Sequence, residues 1–259
     1  MQSMKKAFAV LLFLCSVSAT AQLRHPAPQV LLAGAGSVAG ANGTFFRSDI
    51  VVVNYRDVAQ QVMFEWMPQG SANFALAILT INANSGIISE DFVGSQLHQS
   101  GLGSLLISGV DSNGLRDPDA RLAVTERIWT NQPGTGGTTS QSFPAIDTSE
   151  INLTRATILG QRLDARYRTN VGIVNLDTAS HDFDVVQTTG DPATPTATIT
   201  VNVPAMSMQQ VPLSAPASSA LQIAVQPRTT IGTALWTAYG SSVDNVTGDS
   251  WSSLGFQAR

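Results

Sequence analysis

Short segments in which apolar and polar positions alternate recur along most of the chain. They are rich in Val, Ile, Thr and aromatic residues, as in SDIVVVN (48–54), QVMFEWM (61–67) and ATITVNVP (197–204). Turn-forming residues such as Asn113-Gly114 separate them. No window longer than about ten residues carries an apolar stripe at i, i+3 and i+4. The pattern predicts an all-β protein.

One strand pattern occurs twice, as TFFRSDIVVVN (44–54) and ARYRTNVGIVN (165–175). Four further segments repeat in the same order, and we match Val62–Trp66 with Phe183–Gln187, Leu79–Ala83 with Ile199–Val203, Leu105 and Ile107 with Leu221 and Ile223, and Trp129–Asn131 with Val243–Asn245. Each copy has roughly 115 residues and six or seven strands, the usual size of a β-sandwich. The sequence predicts two tandem Ig-like β-sandwich modules related by internal duplication.

The N-terminal segment of the sequence predicts export. Lys5 and Lys6 precede the apolar run AFAVLLFLCSVSA, and Ala19-Thr20-Ala21 is a small-x-small cleavage site, so residues 1–21 have the layout of a signal peptide. Cys15 allows a lipid anchor as the alternative, although Leu14 is bulky where lipoprotein processing needs a small residue. Cleavage near Ala21 would leave a secreted, periplasmic or surface protein without cysteine, which excludes disulfides and thiolate sites.

The domain boundaries follow from the repeat and from composition. Module 1 is predicted over 22–140 and module 2 over 141–259, with the junction inside the polar stretch 132–150. Only 12% of residues are charged and the formal net charge is −4, which argues against a nucleic-acid partner. No apolar stretch after the signal peptide is long enough to span a bilayer. The expected partner is an extracellular protein or a glycan surface.

The two faces of the repeated strand suggest different roles. With a side-chain period of two, Phe46, Ser48, Ile50 and Val52 should face the core, and Arg47 and Asp49 the other side. In the second copy, Arg168 and Asn170 take the places of Arg47 and Asp49. An active site would not exchange an ionisable Asp for Asn, whereas a structural arginine tolerates it. We therefore expect both arginines to bind carboxylates or carbonyls at equivalent places in the two modules.

A family resemblance rests on three stretches. GANGTFFRSDIVVVN, RYRTNVGIVN and YGSSVDNVTGD resemble a repeat pattern of secreted proteins from environmental bacteria, written G-T-aromatic-R-[ST]-D, [FY]-R-T-N and S-x-V-D-N-x-T-G-D. The resemblance covers nearly all of the mature chain and implies export and this architecture. That group has no established activity, so the resemblance implies no mechanism. The first half departs from the closing pattern, because Ile128-Trp-Thr-Asn131 stands where the second half has Ser242-Val-Asp-Asn245.

Two loops contain enough oxygen ligands to suggest Ca²⁺, which prefers carboxylate and amide oxygens. The first is DSNGLRDPDA, with the four candidate ligands Asp111, Asn113, Asp117 and Asp119. The second is VDNVTGD, with the three candidates Asp244, Asn245 and Asp249. Neither spacing fits a helix-loop-helix calcium loop, and side-chain capping of turns explains both compositions. The sequence favours turns and no cofactor.

The stretch GAGSVAG (34–40) resembles a dinucleotide-binding fingerprint, with Asp57 at a suitable distance. That fingerprint requires a helix at its last glycine, but the turn Asn42-Gly43 and a strand follow here. We expect a flexible loop.

Aromatic residues give the best case for ligand binding. An aromatic platform for sugar rings would use Trp66, Trp129, Trp236, Tyr239 and Trp251. The alternative is that these side chains fill the sandwich cores. No nucleophile elbow or His-based metal spacing is present. The sequence therefore favours a non-enzymatic structural or adhesive protein, with carbohydrate-binding modules as the first alternative and a hydrolase with an unrecognised carboxylate site as the second.

Overall fold

The computed structural model describes residues 25–40, 43–132, 134–151, 154–189, 195–214, 218–233 and 235–256. The signal-peptide prediction, residues 1–21, lies outside the described residues. The first half has nine strands: β1 Gln29–Ala39, β2 Phe45–Asn54, β3 Gln60–Pro68, β4 Ala75–Ile81, β5 Ser85–Ser89, β6 Gly101–Val110, β7 Leu122–Asn131, β8 Thr138–Gln141 and β9 Ile146–Asp147. The second half has eight: β10 Ala156–Leu163, β11 Tyr167–Asn175, β12 His181–Thr188, β13 Ala197–Val203, β14 Ser207–Pro212, β15 Ser218–Pro227, β16 Trp236–Asp244 and β17 Ser250–Leu254.

Besides the single 3-10 residue Gly43, helix in the described chain is confined to α1 (Phe92–Ser95) and a 3-10 turn at Thr148–Glu150. The all-β prediction is confirmed. Among the described residues, no helix has the length and hydropathy needed to cross a bilayer.

Both halves are sandwiches with the same strand order. In module 1, β4-β3-β6-β1 lie on one side and β5-β2-β7-β8 on the other, and β9 adds to β1. In module 2, β13-β12-β15-β10 form one sheet and β14-β11-β16-β17 the other. Strand for strand, β1–β8 correspond to β10–β17, which is eight per module rather than six or seven. The common topology is what a duplication would leave. Descent from one ancestral module and the Ig-like likeness stay predictions.

The strand registers correct two of the matches made from the sequence. Val62 faces Leu79, whereas its counterpart Phe183 faces Val201, so Leu79 corresponds to Val201 and not to Ile199. Likewise, Leu32 faces Leu105 and its counterpart Ile158 faces Ile223. Leu105 therefore corresponds to Ile223 and Ile107 to Val225, again shifted by two positions. The matches of β2 with β11 and of β7 with β16 agree with the registers.

The glycine-rich stretch 34–40 is strand for most of its length, so the expected flexible loop is wrong. The strand β1 carries a bulge between Leu32 and Ala35, and its end at Ser37–Ala39 pairs with β2, which joins the two sheets of module 1. The strand β10 has its own bulge between Ile158 and Gln161. It ends at Leu163 before a turn into β11, so the two sheets of module 2 stay separate.

The repeated strand has the predicted faces. Ile50 and Val52 lie in the core of module 1, and Val171 and Ile173 lie in the core of module 2. Ser48 and Thr169 are also buried. The inward face is confirmed as core from Ser48 to Val52 and from Thr169 to Ile173, whereas Phe46 is half-buried and packs against the cluster between the modules.

The modules pack directly against each other. An apolar cluster joins the outer face of the β1–β6–β3 sheet to the outer face of the β14–β11–β16 sheet, and comprises Leu31, Ala33, Met67, Leu106, Ile128, Phe143, Ile151, Val174, Met208 and Tyr239. At its edge, Ser207 Oγ donates a 2.7 Å hydrogen bond to the Pro68 carbonyl. The predicted boundary after residue 140 falls one residue before the end of β8 at Gln141, and β9, which lies beyond that boundary, still pairs with β1 of module 1.

Candidate functional site

A cleft of about 580 Å³ opens between the two modules. We call it the intermodule cleft. Module 1 contributes the bulged part of β1 from Gly34 to Gly40, with Phe46, Leu102, Ile128 and Phe143 beside it. Module 2 contributes the outer face of β14, β11 and β16, including Arg168, Asn170, Gln210, Tyr239 and Ser241. This volume is typical of small-molecule sites, which span roughly 300–1,000 Å³.

The floor of the cleft depends on two glycines of β1. A Cβ at Gly34 would lie 2.9 Å from Phe143 and 3.4 Å from the Tyr239 hydroxyl, and a Cβ at Gly36 would lie 3.0 Å from the carbonyl of Gly101. Larger residues would push these neighbours away. The glycines of the GAGSVAG stretch therefore serve close packing of backbone and rings, and their low strand propensity is overridden by tertiary contacts.

Cross-strand pairs build the module 2 wall. Arg168 faces Val243, Asn170 faces Ser241 and Gly172 faces Tyr239 along β11 and β16. A Cβ at Gly172 would lie only 2.1 Å from the Tyr239 ring, so the glycine is what allows that ring to lie flat across β11. Burial decreases along β11 from Gly172, which is buried, through Asn170 to the exposed Arg168. The cleft therefore has a closed end at Tyr239 and a mouth at Arg168.

Tyr239 holds the closed end together. Its ring lies 4.5 Å from the Phe143 ring, and its hydroxyl donates a 3.0 Å hydrogen bond to Gln210 Oε1. Burial raises the pKa of this phenol above its ordinary value, and the nearby Glu126 carboxylate acts in the same direction. The hydroxyl is therefore a neutral hydrogen-bond donor.

The chain matches no protein-family model and no curated protein. The assignment of a site therefore depends on the geometry alone.

The repeated arginines Arg47 and Arg168 do not have equivalent partners, so the expected equivalence is wrong, although Arg47 does donate to a backbone carbonyl, that of Phe45, at 3.3 Å. Arg47 lies 4.0 Å from the Asp91 carboxylate and stacks near the Phe45 and Trp129 rings. Asp49 accepts a hydrogen bond from the Asp91 backbone N–H, so Arg47 and Asp49 share a neighbour rather than pairing. Arg168 instead donates to Asn245 Oδ1 at 2.5 Å. Arg168 and Asn170 line the cleft, whereas Arg47 and Asp49 do not.

Side chains of the VDNVTGD stretch cap a turn, which was the alternative to a Ca²⁺ site. Asp244 Oδ1 accepts hydrogen bonds from the N–H groups of Val246 and Thr247, and its Oδ2 accepts 2.8 and 2.6 Å bonds from Arg166. These bonds, with Arg166 foremost, lower the pKa of Asp244 to about 2. The Asp249 carboxylate accepts from the Ser250 N–H.

The carboxylates of the DSNGLRDPDA stretch also accept hydrogen bonds from nearby backbone N–H groups. Asp111 Oδ1 accepts from the N–H groups of Asn113 and Leu115. Asp117 pairs with Arg56 at 2.5 Å and accepts from the Asp119 N–H. In the described ranges, no three His, Cys, Asp or Glu side chains lie close enough to hold a metal ion. The hydrogen bonds are those of turn capping.

The tryptophans do not form one platform. Trp66 and Trp236 are 1% and 0% exposed and lie in the cores of modules 1 and 2, so their assignment to binding is wrong. Trp129 is half-buried on module 1 between Arg47 and Arg127. Trp251 is half-buried on module 2, where its indole N–H donates to the Gly160 carbonyl and its ring meets the edge of Tyr167. Trp66 and Trp236 therefore fill the sandwich cores, which was the alternative to a sugar-binding platform.

A buried carboxyl lies inside module 1 near the cleft. Glu126 is 6% exposed, and its Oε2 has no hydrogen-bond partner in the described chain. Burial raises its pKa well above the ordinary value, and a 3.5 Å bond from Ser48 opposes this only in part. The corresponding residue of module 2 is Gly240, above which Gln161 packs. An uncharged amide thus replaces the acid in the second module.

We expect Glu126 to make the protein less stable as pH rises. At pH values below the ordinary pKa of 4.5, both the folded and the unfolded chain hold the proton, so this carboxyl adds no pH dependence to the stability. Above it the unfolded chain releases the proton while the folded chain retains it, and the free energy of unfolding falls with increasing pH. Glu126→Gln should remove this fall. Denaturant unfolding of both proteins from about pH 4 to about pH 8 measures the free energy of unfolding as a function of pH.

Glu65→Gln is the comparison variant for this experiment. Burial also raises the pKa of Glu65, but that side chain is only partly buried, so its substitution should change the profile less. Parallel profiles for wild type and Glu126→Gln would show that the carboxyl is solvated and the expectation wrong.

Sequence reasoning missed most cleft residues because they lie on outward strand positions of different modules. One signal was present. Module 2 has Gly172 and Tyr239 where module 1 has Val51 and Thr125 at the corresponding paired positions. A glycine beside a large aromatic on an outward face indicates that something packs on that face.

Proposed function

We propose that this protein is an exported, non-enzymatic binding protein that holds one small ligand between its two modules. The observation that carries the proposal is the intermodule cleft itself, about 580 Å³ and lined by both modules. An apolar lining with a few polar side chains is typical of ligand sites. None of the described lining residues is Asp, Glu, His, Cys or Lys, which supports binding rather than acid–base catalysis.

The rigid junction supports the same proposal. The apolar cluster between the modules and the hydrogen bonds at its rim, such as Ser241 Oγ to Gln141 Oε1 at 2.9 Å, hold both walls in place. A preformed site avoids the entropic cost of ordering its walls when the ligand binds. Export is supported by residues 1–21, and the duplicated architecture by the common strand order of the modules.

Filling the cleft tests this function. Asn170 is half-buried in the module 2 wall, and its side chain has no hydrogen bond to a described residue, so Asn170→Trp should fill the cleft with little loss of stability. In a calorimetric screen of small organic molecules, we expect at least one ligand of the wild type to bind Asn170→Trp more than tenfold more weakly. Thr198→Trp, on the exposed face of β13, is the matched control and should bind normally.

A structural or adhesive role is the second candidate, and one surface favours it. Phe74, Leu76 and Ile78 expose 52%, 54% and 46% of their surface along the edge strand β4. The registers place Thr198 and Thr200 of β13 where β4 has Leu76 and Ile78, so the corresponding edge strand of module 2 exposes polar side chains at these two positions. Such a strip is typical of a protein contact. Ligand binding that Asn170→Trp leaves unchanged would contradict the cleft proposal and favour this role.

A further inference from the structure

The polar side chains of the intermodule cleft offer hydrogen-bond donors. Gln141 Oε1 accepts from Ser241 Oγ at 2.9 Å, and Gln210 Oε1 accepts from the Tyr239 hydroxyl at 3.0 Å. Both amide oxygens are therefore used by the protein. In the part of the chain that the structure describes, neither amide nitrogen has an acceptor, so both N–H₂ groups remain for a ligand. Such donors can bind acceptor oxygens of a ligand, including those of a carboxylate.

Arg168 adds one positive charge at the mouth. Its guanidinium donates to the neutral Asn245 amide oxygen, and no carboxylate of the described chain lies within ion-pair distance of it. Arg166, two positions earlier, is held by Asp244 instead. No described lining residue is acidic, so the charge of Arg168 is not compensated inside the cleft. A guanidinium binds a carboxylate through two parallel hydrogen bonds, which makes it the preferred partner of that group.

The rest of the lining is apolar and leads inward from Arg168. Phe46, Leu102, Ile128 and Val243 line the walls, and glycines of β1 form the floor. The closed end at Gly172 and Tyr239 lies four positions along β11 from Arg168, or roughly 13 Å at strand spacing. A ligand that fits must carry its charge at one end and an apolar body behind it.

We propose that the ligand is an organic carboxylate with an apolar chain or ring, bound with its carboxylate at Arg168 and its body toward Tyr239. A single guanidinium balances one negative charge, so a monoanion fits better than a doubly charged phosphate. The inference rests on the proposed function of the cleft. It adds the chemical class of the ligand and its orientation.

A pair of probes with the same chain length, one with an anionic and one with a neutral head group, tests the inference. Decanoate and decanol share one chain, and isothermal calorimetry of the full-length mature protein measures both. We expect decanoate to bind at least about tenfold more tightly than decanol, because a hydrogen bond between a guanidinium and a carboxylate is stronger than one to a neutral hydroxyl. Arg168→Gln should remove this preference, because it should weaken decanoate binding much more than decanol binding.

Arg47→Gln is the matched control, because Arg47 occupies the corresponding position of module 1 outside the cleft. It should bind both probes as the wild type does. Thermal unfolding of each variant separates lost folding from lost binding. Equal binding of decanoate and decanol to the wild type, failure of both to bind, or an unchanged preference in Arg168→Gln would overturn the inference. In each case a screened ligand that is lost in Asn170→Trp would leave the proposed function standing.

Discussion

The single replacements Asn54→Ala and Asn175→Ala should each lower the free energy of unfolding by about 3 kcal/mol. Asn54 closes β2 and is fully buried, and its Nδ2 donates to the carbonyls of Val58, Ile81 and Asn82 at 2.8, 3.2 and 3.2 Å. Its Oδ1 accepts from the Arg56 N–H at 2.9 Å. One side chain thus holds the β2–β3 and β4–β5 connections together.

Asn175 makes the same set of bonds in module 2. Its Nδ2 donates to the carbonyls of Ala179, Val203 and Pro204 at 2.7, 3.3 and 2.9 Å, and its Oδ1 accepts from the Asp177 N–H at 3.0 Å. Alanine would remove the partner of the Asp177 N–H and of the Ala179 and Pro204 carbonyls next to a filled core, whereas the Val203 carbonyl would keep Ser180 Oγ as a donor. Buried polar groups left unsatisfied typically destabilise by about 1–3 kcal/mol. The two variants should therefore lose similar amounts.

Asn131→Ala is the control, because Asn131 also ends a strand but is exposed. It should change stability by less than about 0.5 kcal/mol. Denaturant unfolding followed by circular dichroism measures all three variants. If Asn54→Ala and Asn175→Ala unfold at the wild-type denaturant concentration, the repeated asparagine is not the architectural element that its hydrogen bonds indicate.

The repeated motif shows what a sequence can predict about this fold. Its alternation placed Ile50, Val52, Val171 and Ile173 in the cores correctly, because side chains alternate across every strand. The terminal asparagines also cap turns, because Asn54 and Asn175 accept from the N–H groups two residues later, those of Arg56 and Asp177. The wider role of Asn54 depends on Ile81 and Asn82, which are distant in sequence and reach it only through the strand order of the sandwich.

The errors in register have a physical cause. Shifting Leu79 from Val201 to Ile199 keeps every apolar residue on the same face, since a strand pattern repeats every two residues. Hydrophobic alternation therefore fixes the face of a strand but not its partner. For the same reason the sequence did not predict the cleft, because the pattern of β11 does not indicate that its outer face contacts β1. Gly172 beside Tyr239 was the local sign that this outer face is covered.

Tyr239→Ala should give the second large effect, a loss of about 3–5 kcal/mol from the junction between the modules. The side chain is 1% exposed and packs against Phe143 and over Gly172, with its hydroxyl bound to Gln210. Removing the ring leaves a cavity that neither sheet can fill. We expect calorimetry to resolve two unfolding transitions in place of one, because each sandwich keeps its own core. Tyr239→Phe retains the ring and should lose only about 1 kcal/mol.

A double variant separates the junction from the stability of module 2. Val51 and Thr125 occupy in module 1 the paired positions that Gly172 and Tyr239 occupy in module 2. Gly172→Val alone should clash with the Tyr239 ring, whereas Gly172→Val with Tyr239→Thr copies a pair that a sandwich of this topology already accommodates. The double variant should keep its strand content, unfold in two transitions and lose cleft binding. A single wild-type transition would mean that Tyr239 does not couple the modules. Loss of strand content would mean that the ring supports module 2 itself.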